Sequence, residues 1–206
     1  MIKHVIFDFD GTLVDSEKVL VSSWNLLAKR YRLREIGPDE IKVIKKLPIR
    51  GKIRRINFPI YKVPILAPEM YKLYRDSINE MKLFHGIKEV LHQLEKKGYK
   101  ITIISSNSKE NILTFLKRNK ITSITKVISS SSIFGKDKLI YRYLRENNLK
   151  ASEVVYVGDE QRDIIASKKT GVKMIWVGWG YDSVEAVVKM KPDFTVYTPE
   201  EILNIL

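Results

Sequence analysis

Residues 5–16 read V-I-F-D-F-D-G-T-L-V-D-S. Val5, Ile6 and Phe7 open an apolar run of the kind that forms a buried strand, here over about 2–9, and the carboxylates of Asp8 and Asp10 interrupt its end. Side chains alternate along a strand, so Asp8 and Asp10 fall on the same side, two positions apart. Two charges at that spacing are costly within a sheet. At the carboxyl end of a strand they face the crevice where open α/β sheets bind ligands.

Working outward from this stretch, the C-terminal two-thirds of the chain alternates short apolar strands with helical patterns. Strands are expected at 101–105, 126–129, 154–157 and 174–177, and helices at about 109–118, 138–146, 162–169 and 183–189. Short strands without polar alternation are buried on both faces, and the intervening helices supply the covers. This pattern predicts an α/β fold with a doubly wound, Rossmann-like parallel sheet. The second core strand begins only near residue 100. Between it and the first, 16–84 reads as mostly helical, with 19–30 and 69–81 the clearest helices. Four prolines and a glycine in 47–68 disfavour long helices there. The chain therefore divides into a core, 1–15 and 85–206, and a small helical cap, 16–84, inserted after strand one. Residues 86–97 form the helix that re-enters the core.

At 206 residues, 44% hydrophobic and 30% charged, the chain has the composition of a soluble globular protein. No apolar run reaches the roughly 18 residues of a membrane span, and Asp8 interrupts any signal-peptide core. There is no cysteine, which removes disulfides and thiol chemistry and suits the cytoplasm. The net charge is +13, and residues 16–84 hold 16 Lys/Arg against 7 Asp/Glu. Lys42, Lys45, Lys46, Arg50, Lys52, Arg54, Arg55 and Lys62 stand together with no acidic residue among them. Such a stretch reads first as a solvated face, and second as a patch for an anionic partner such as a phosphorylated metabolite or a nucleic-acid backbone.

Chemistry concentrates at four strand tips. The first carries Asp8, Asp10 and Gly11, and the second Ser105, Ser106 and Asn107. The third leads to Lys136 and Lys138, and the fourth to Gly158, Asp159, Glu160 and Asp163. Asp8, Asp10 and Asp159 would repel one another unless a cation sat among them. Oxygen ligands without His or Cys select a hard ion, and Mg²⁺ suits an open site with room for phosphate. A lysine and a hydroxyl would stabilise a phosphoryl group in flight. One carboxylate can attack phosphorus while its neighbour handles the leaving group's proton.

D-F-D-G-T-L-V-D-S resembles the first motif of the haloacid dehalogenase superfamily of phosphohydrolases. Ser106-Asn107 after I-T-I-I-S resembles its second motif, F-G-K-D-K its third, and Gly158 to Asp163 its fourth. Within the superfamily the chain is most similar to phosphoglycolate-phosphatase-like members with a helical cap after the first motif. The resemblance implies that Asp8 is the nucleophile of an aspartyl-phosphate mechanism and Asp10 the general acid and base. It also implies that Gly11, Thr12, Ser106, Asn107 and a lysine hold the phosphoryl group. Asp8, the Asp10 backbone carbonyl and Asp159 would hold Mg²⁺, with Asp163 in support; Glu160 could also reach the metal. The third motif often reads Lys-Pro in such phosphatases and lacks the proline here. Lys136 is favoured over Lys138, which falls at the expected helix start, but both stay open.

The expected activity is Mg²⁺-dependent hydrolysis of a small phosphomonoester, with 2-phosphoglycolate the first guess. A phosphomutase resembling β-phosphoglucomutase and a nucleotide or polynucleotide phosphatase using the basic cap are the alternatives. Dehalogenation does not require Asp10, and an inactive module would not keep the acidic set. No membrane partner is expected, nucleic acid is the lesser partner, and the oligomeric state is open. F-G-K-D-K is no P-loop, since Asp137 stands where Ser/Thr is needed. His4, His85 and His92 are scattered and read as ordinary surface or core residues. Asp15 or Ser16 reads as a helix cap. Gly178-Trp179-Gly180-Tyr181 reads as aromatic packing or as cleft lining, and 129–132 as a strand end and loop.

Overall fold

Strand β1 (His4–Phe7) opens the chain with Val5, Ile6 and Phe7 wholly buried. After β2 (Val14–Asp15) come four helices, α1 (Glu17–Tyr31), α2 (Pro38–Lys45), α3 (Ile49–Arg55) and α4 (Val63–Asp76). β3 (Lys82–Leu83) then pairs antiparallel with β2, so the chain leaves and re-enters the core side by side. Next are α5 (Ile87–Lys96), β4 (Lys100–Ser105), α6 (Lys109–Arg118) and β5 (Ile124–Ser129). α7 (Lys136–Glu146), β6 (Val154–Gly158), α8 (Gln161–Thr170) and β7 (Lys173–Val177) follow. α9 (Val184–Val187), β8 (Phe194–Val196) and α10 (Ile202–Ile205) end it. This computed structural model describes residues 1–130 and 135–206; Ser131, Ser132, Ile133 and Phe134, which end the serine run and open F-G-K-D-K, lie outside the described residues.

Six strands form one parallel sheet in the order β5-β4-β1-β6-β7-β8, the doubly wound α/β arrangement expected from the sequence. The chain steps outward from β1 to β4 and β5, then crosses back to β6 and steps the other way. β1 therefore sits at the switch point, and a crevice opens beyond its carboxyl end. Alternation distributes the core over both faces. Val5, Phe7, Val155 and Val157 pack with Val90, Leu94 and Phe115 of α5 and α6. Ile6, Ile104 and Tyr156 pack with Ile140 and Ile164 of α7 and α8. The helical segment has a core of its own around Trp24, Ala28 and Leu66.

Several elements differ from expectation. α2, of eight residues, precedes the proline-rich middle, which contains the seven-residue α3; Pro38 opens α2 and Pro48 caps α3. Those are positions where a missing N–H costs nothing. α4 begins at Val63 rather than 69 and ends at Asp76 rather than 81. It continues through Pro68, which cannot donate to the carbonyl of Pro64; both residues are exposed. α7 starts at Lys136, two residues earlier than expected, because Gly135 takes φ +109° and turns the chain into it.

Candidate active site

Asp8 lies just past β1, and its amide still donates to the Val157 carbonyl at 2.9 Å, so the sheet itself fixes its position. Its buried carboxylate accepts from the Phe9 amide (2.7 Å) and from Lys136 Nζ (2.5 Å). Lys136 Nζ also donates to Asp163 Oδ1 at 2.6 Å. Lys136 is buried, whereas Lys138 is exposed, so the fold brings the first of the two candidate lysines to the carboxylates. Burial pushes the Asp8 carboxyl up to about 7 against the pull of Lys136. Burial works to discharge Lys136, but Asp163 and Asp8 outweigh it and hold the ammonium charged.

Asp10 faces a different set of partners. Its Oδ1 accepts from Ser16 Oγ (2.7 Å) and from the Tyr74 hydroxyl, and its Oδ2 from Asn107 Nδ2 (2.9 Å). Burial raises its pKa, and these three donors partly restrain the rise. Ser16 occupies the N-cap position of α1 but makes no cap hydrogen bond; its hydroxyl serves Asp10 and meets Tyr181 Oη at 2.5 Å. Asp15 pairs with Lys82 in the β2–β3 ladder. The expected helix cap is thus part of the site.

Asp159 is fully buried and accepts from Thr12 Oγ1 and the Tyr181 amide, both at 2.7 Å. Gly11 (φ +76°) lies so close that an added Cβ would meet Asp159 Oδ2 at 2.4 Å, and one at Gly180 would meet the Asp159 Cβ at 2.2 Å. No side chain fits at either position. Gly11 and Thr12 therefore brace Asp159. Burial, then the charges of Glu160, Asp8 and Asp163, push Asp159 well above the usual carboxylate range.

Among the described residues, the carboxylates with oxygens all within 4.8 Å of one another are Asp8, Glu160 and Asp163. Glu160 thus stands in this trio, while Asp159 is outside it and the Asp10 carboxylate is turned to its own three donors. Burial favours neutral Glu160, but Arg162, Lys52 and Lys136 hold it down at about 2. Its partner Arg162 donates to Oε2 through Nε at 3.1 Å. A donor set of carboxylate oxygens alone fits a hard divalent cation such as Mg²⁺.

A cavity of about 400 Å³ joins these groups to the helical segment. Asp8, Asp10, Ser106, Asn107, Glu160 and Arg162 line its core side. Ser106 is half-buried, and its carbonyl accepts from Tyr71 Oη at 2.7 Å. Neighbouring Ser105 is buried, with Oγ accepting from the Asn107 amide at 3.1 Å. Beyond Tyr71 and Tyr74, the helical segment is fastened through Lys52, which pairs with the buried Asp182, and through Gln161 Nε2, which donates to the Leu47 carbonyl at 3.0 Å. Tyr181 reaches the cavity, whereas Trp179 packs on Phe84, so the G-W-G-Y stretch combines cleft lining and packing. His4 bonds the Tyr143 hydroxyl at 2.7 Å, away from the site. Sequence reading missed Tyr74 and the Lys52–Asp182 pair, neither of which falls in a recognisable spacing, and gave Arg162, within the fourth motif, no role.

The model of a protein family described as haloacid dehalogenase-like hydrolase matches residues 5–177. The chain is 30% identical over 201 residues to a phosphoglycolate phosphatase of Synechococcus elongatus, covering 97% of this chain and 95% of that protein. It is 25% identical over 213 residues to the pyrophosphatase PpaX of Bacillus cereus, covering 100% and 96%. Among solved structures, a haloacid dehalogenase-like hydrolase from Streptococcus pneumoniae superposes with a TM-score of 0.81 at 21% identity, covering 99% of this chain and 98% of that one, a likeness of fold.

Proposed function

The chain belongs to the haloacid dehalogenase-like hydrolases and is a phosphatase of that family, and from this premise we propose that it hydrolyses small phosphomonoesters through an aspartyl-phosphate at Asp8. The observation that carries the reading is the pairing at the mouth of β1. Asp8 and Asp10 both open on one cavity, yet each is held by separate donors, so two adjacent carboxylates are set for two different tasks.

In this reading a carboxylate oxygen of Asp8 attacks phosphorus, the bond from phosphorus to the ester oxygen breaks, and Asp10 gives its proton to the departing alkoxide. Asp10 then takes a proton from water, the water oxygen attacks phosphorus, and the bond to Asp8 breaks to release phosphate. Burial of Asp10 favours the protonated form needed in the first step, and Ser16, Tyr74 and Asn107 stabilise the carboxylate needed in the second. Lys136 offsets negative charge shared between Asp8 and the phosphoryl group, and Ser106 and Asn107, which line the cavity, would meet the phosphoryl oxygens. Asp8, Glu160 and Asp163 would hold Mg²⁺, with Asp159 behind them. Bound there, the ion supplies positive charge to the phosphoryl oxygens. Residues 16–84 would act as the cap that excludes water, over a core of 1–15 and 85–206.

The names of the relatives supply two reference substrates, 2-phosphoglycolate and pyrophosphate. Hydrolysis of a generic aryl phosphate with Mg²⁺ tests the reaction itself. Asp8→Asn is expected to lower kcat by at least about 10³-fold, as removal of a nucleophile does. Full activity in that variant would place the nucleophile elsewhere.

A further inference from the structure

The cap side of the cavity is built from carbon. Trp24, Ile36, Ile53, Phe58 and Met70 converge over the space that begins at Asp8, and a second apolar pocket of about 150 Å³ continues it past Trp24, Phe58 and Met70. The polar ends of the aromatic residues are used elsewhere. Trp24 Nε1 donates to the Arg34 carbonyl at 2.9 Å, Tyr71 Oη to the Ser106 carbonyl at 2.7 Å, and Tyr74 Oη to Asp10. Tyr181 Oη meets Ser16. These residues therefore turn their rings rather than their donors towards the cavity.

The charges at the wall are also committed. Lys52 pairs with Asp182, which is 2% exposed, and Arg162 with Glu160; both pairs lie at the core end, beside the reacting groups. A second anionic group on the substrate, such as the carboxylate of 2-phosphoglycolate or the far phosphate of pyrophosphate, would enter this carbon-lined space without a cation reserved for it. Burying such a charge unpaired is heavily penalised. An uncharged hydrocarbon group gains from the same surroundings.

We infer that the substrate is a phosphomonoester of an uncharged, apolar alcohol, aromatic or branched aliphatic, whose body fills the space bounded by Trp24, Ile53, Phe58 and Met70. This rests on the phosphomonoesterase reading above and names its substrate class. A cavity of about 400 Å³ is in the range that encloses a small ligand nearly whole. Cavity and phosphoryl site are continuous, so binding the alcohol positions the ester oxygen over Asp8 and Asp10.

Benzyl phosphate, isoamyl phosphate, 2-phosphoglycolate and pyrophosphate are compared by kcat/KM with saturating Mg²⁺; the three esters are all esters of alkyl alcohols. Binding of benzylphosphonate and phosphonoacetate is followed in parallel by tryptophan fluorescence. Benzyl phosphate is expected to exceed 2-phosphoglycolate by at least roughly tenfold, the discrimination that even one or two apolar groups supply. Ile53→Lys is expected to reverse that order by placing a cation in the carbon wall. Equal or better turnover of 2-phosphoglycolate or pyrophosphate by the unmodified enzyme overturns the inference and leaves the hydrolase reading standing. If no compound is hydrolysed, the aryl phosphate assay separates the two readings: turnover there keeps the hydrolase reading, and the inference is upheld if benzylphosphonate binds more tightly than phosphonoacetate and overturned if it does not.

Discussion

Lys136 and Lys138 are two residues apart, and the sequence offers both as the cation of the third strand tip. Helical geometry separates them. With α7 starting at Lys136, side chains two positions apart point about 200° from each other, so only one can face the sheet. Lys136 turns inward to Asp8 and Asp163, and Lys138 outward to solvent. Lys136→Met is therefore expected to lower kcat/KM for an aryl phosphate by about 10²-fold or more, in the range of losing one electrostatic stabiliser. Lys138→Met is expected to match the unmodified enzyme. Steady-state kinetics on the two variants, with circular dichroism to verify folding, decides the matter; the opposite ranking would remove Lys136 from its role. The same scale shows what sequence motifs hold. Asp8 and Asp159 are legible because each directly follows an apolar strand, and Asp10 because it stands two positions beyond Asp8. Tyr74 is not, because its contact with Asp10 spans 64 residues and depends on how α4 docks.

Elements were legible in proportion to their burial pattern. The five apolar runs that become β1, β4, β5, β6 and β7 are continuous enough to be read one by one, and their alternation with helices implies the parallel sheet. β8 has three residues and follows M-K-P-D, too short a run to register. α2 and α3 contain no buried residue, so no strong apolar stripe marks them. Their place comes from contacts with the core, notably Lys52 on Asp182 and the Ser183 amide on the Lys45 carbonyl at 3.0 Å. Lys52 is 14% exposed and Asp182 2%, so removing the lysine strands a buried carboxylate. Loss of one partner from such a pair costs about 3–5 kcal/mol. For a chain of this size that corresponds to a fall in Tm on the order of 10 °C. Lys52→Met is expected to show this fall, and adding Asp182→Asn to recover much of it, because asparagine can still accept from the Gln161 amide at a position where Asp182 now accepts at 2.7 Å. Thermal melts of the single and double variants test it; an unchanged Tm in Lys52→Met would show that the pair does not fasten the helical segment.

At the scale of the whole molecule, a chain of net charge +13 gathers Asp8, Asp159, Glu160 and Asp163 at one buried point. The surplus of positive charge lies mostly elsewhere. Of the eight basic residues between positions 41 and 68, Lys45, Lys46, Lys52 and Arg55 are ion-paired to Glu17, Glu185, Asp182 and Glu40. Distant surface cations are screened within about 8 Å at physiological salt, so within the chain the site depends on Lys136 and Arg162. Asp8 sits at about 7, above its ordinary value, because burial penalises its charge. A raised carboxyl contributes stability that is full below the ordinary carboxylate range and is lost as pH rises through about 7. Mg²⁺ held as proposed above would bind the carboxylates in their ionised form, so it is expected to restore stability in the window where the metal-free protein loses it. At a concentration about 100 times Kd the gain is about 2.7 kcal/mol, or roughly 5–10 °C in Tm. The difference between melts in Mg²⁺ and in chelator is thus expected to be small at pH 5 and to grow to that size by pH 8. Taking the difference at each pH cancels the general charge repulsion that acid adds to a basic protein. A gain equal at both pH values would mean that Asp8 is not among the ligands, and no gain at either would remove the metal from the site.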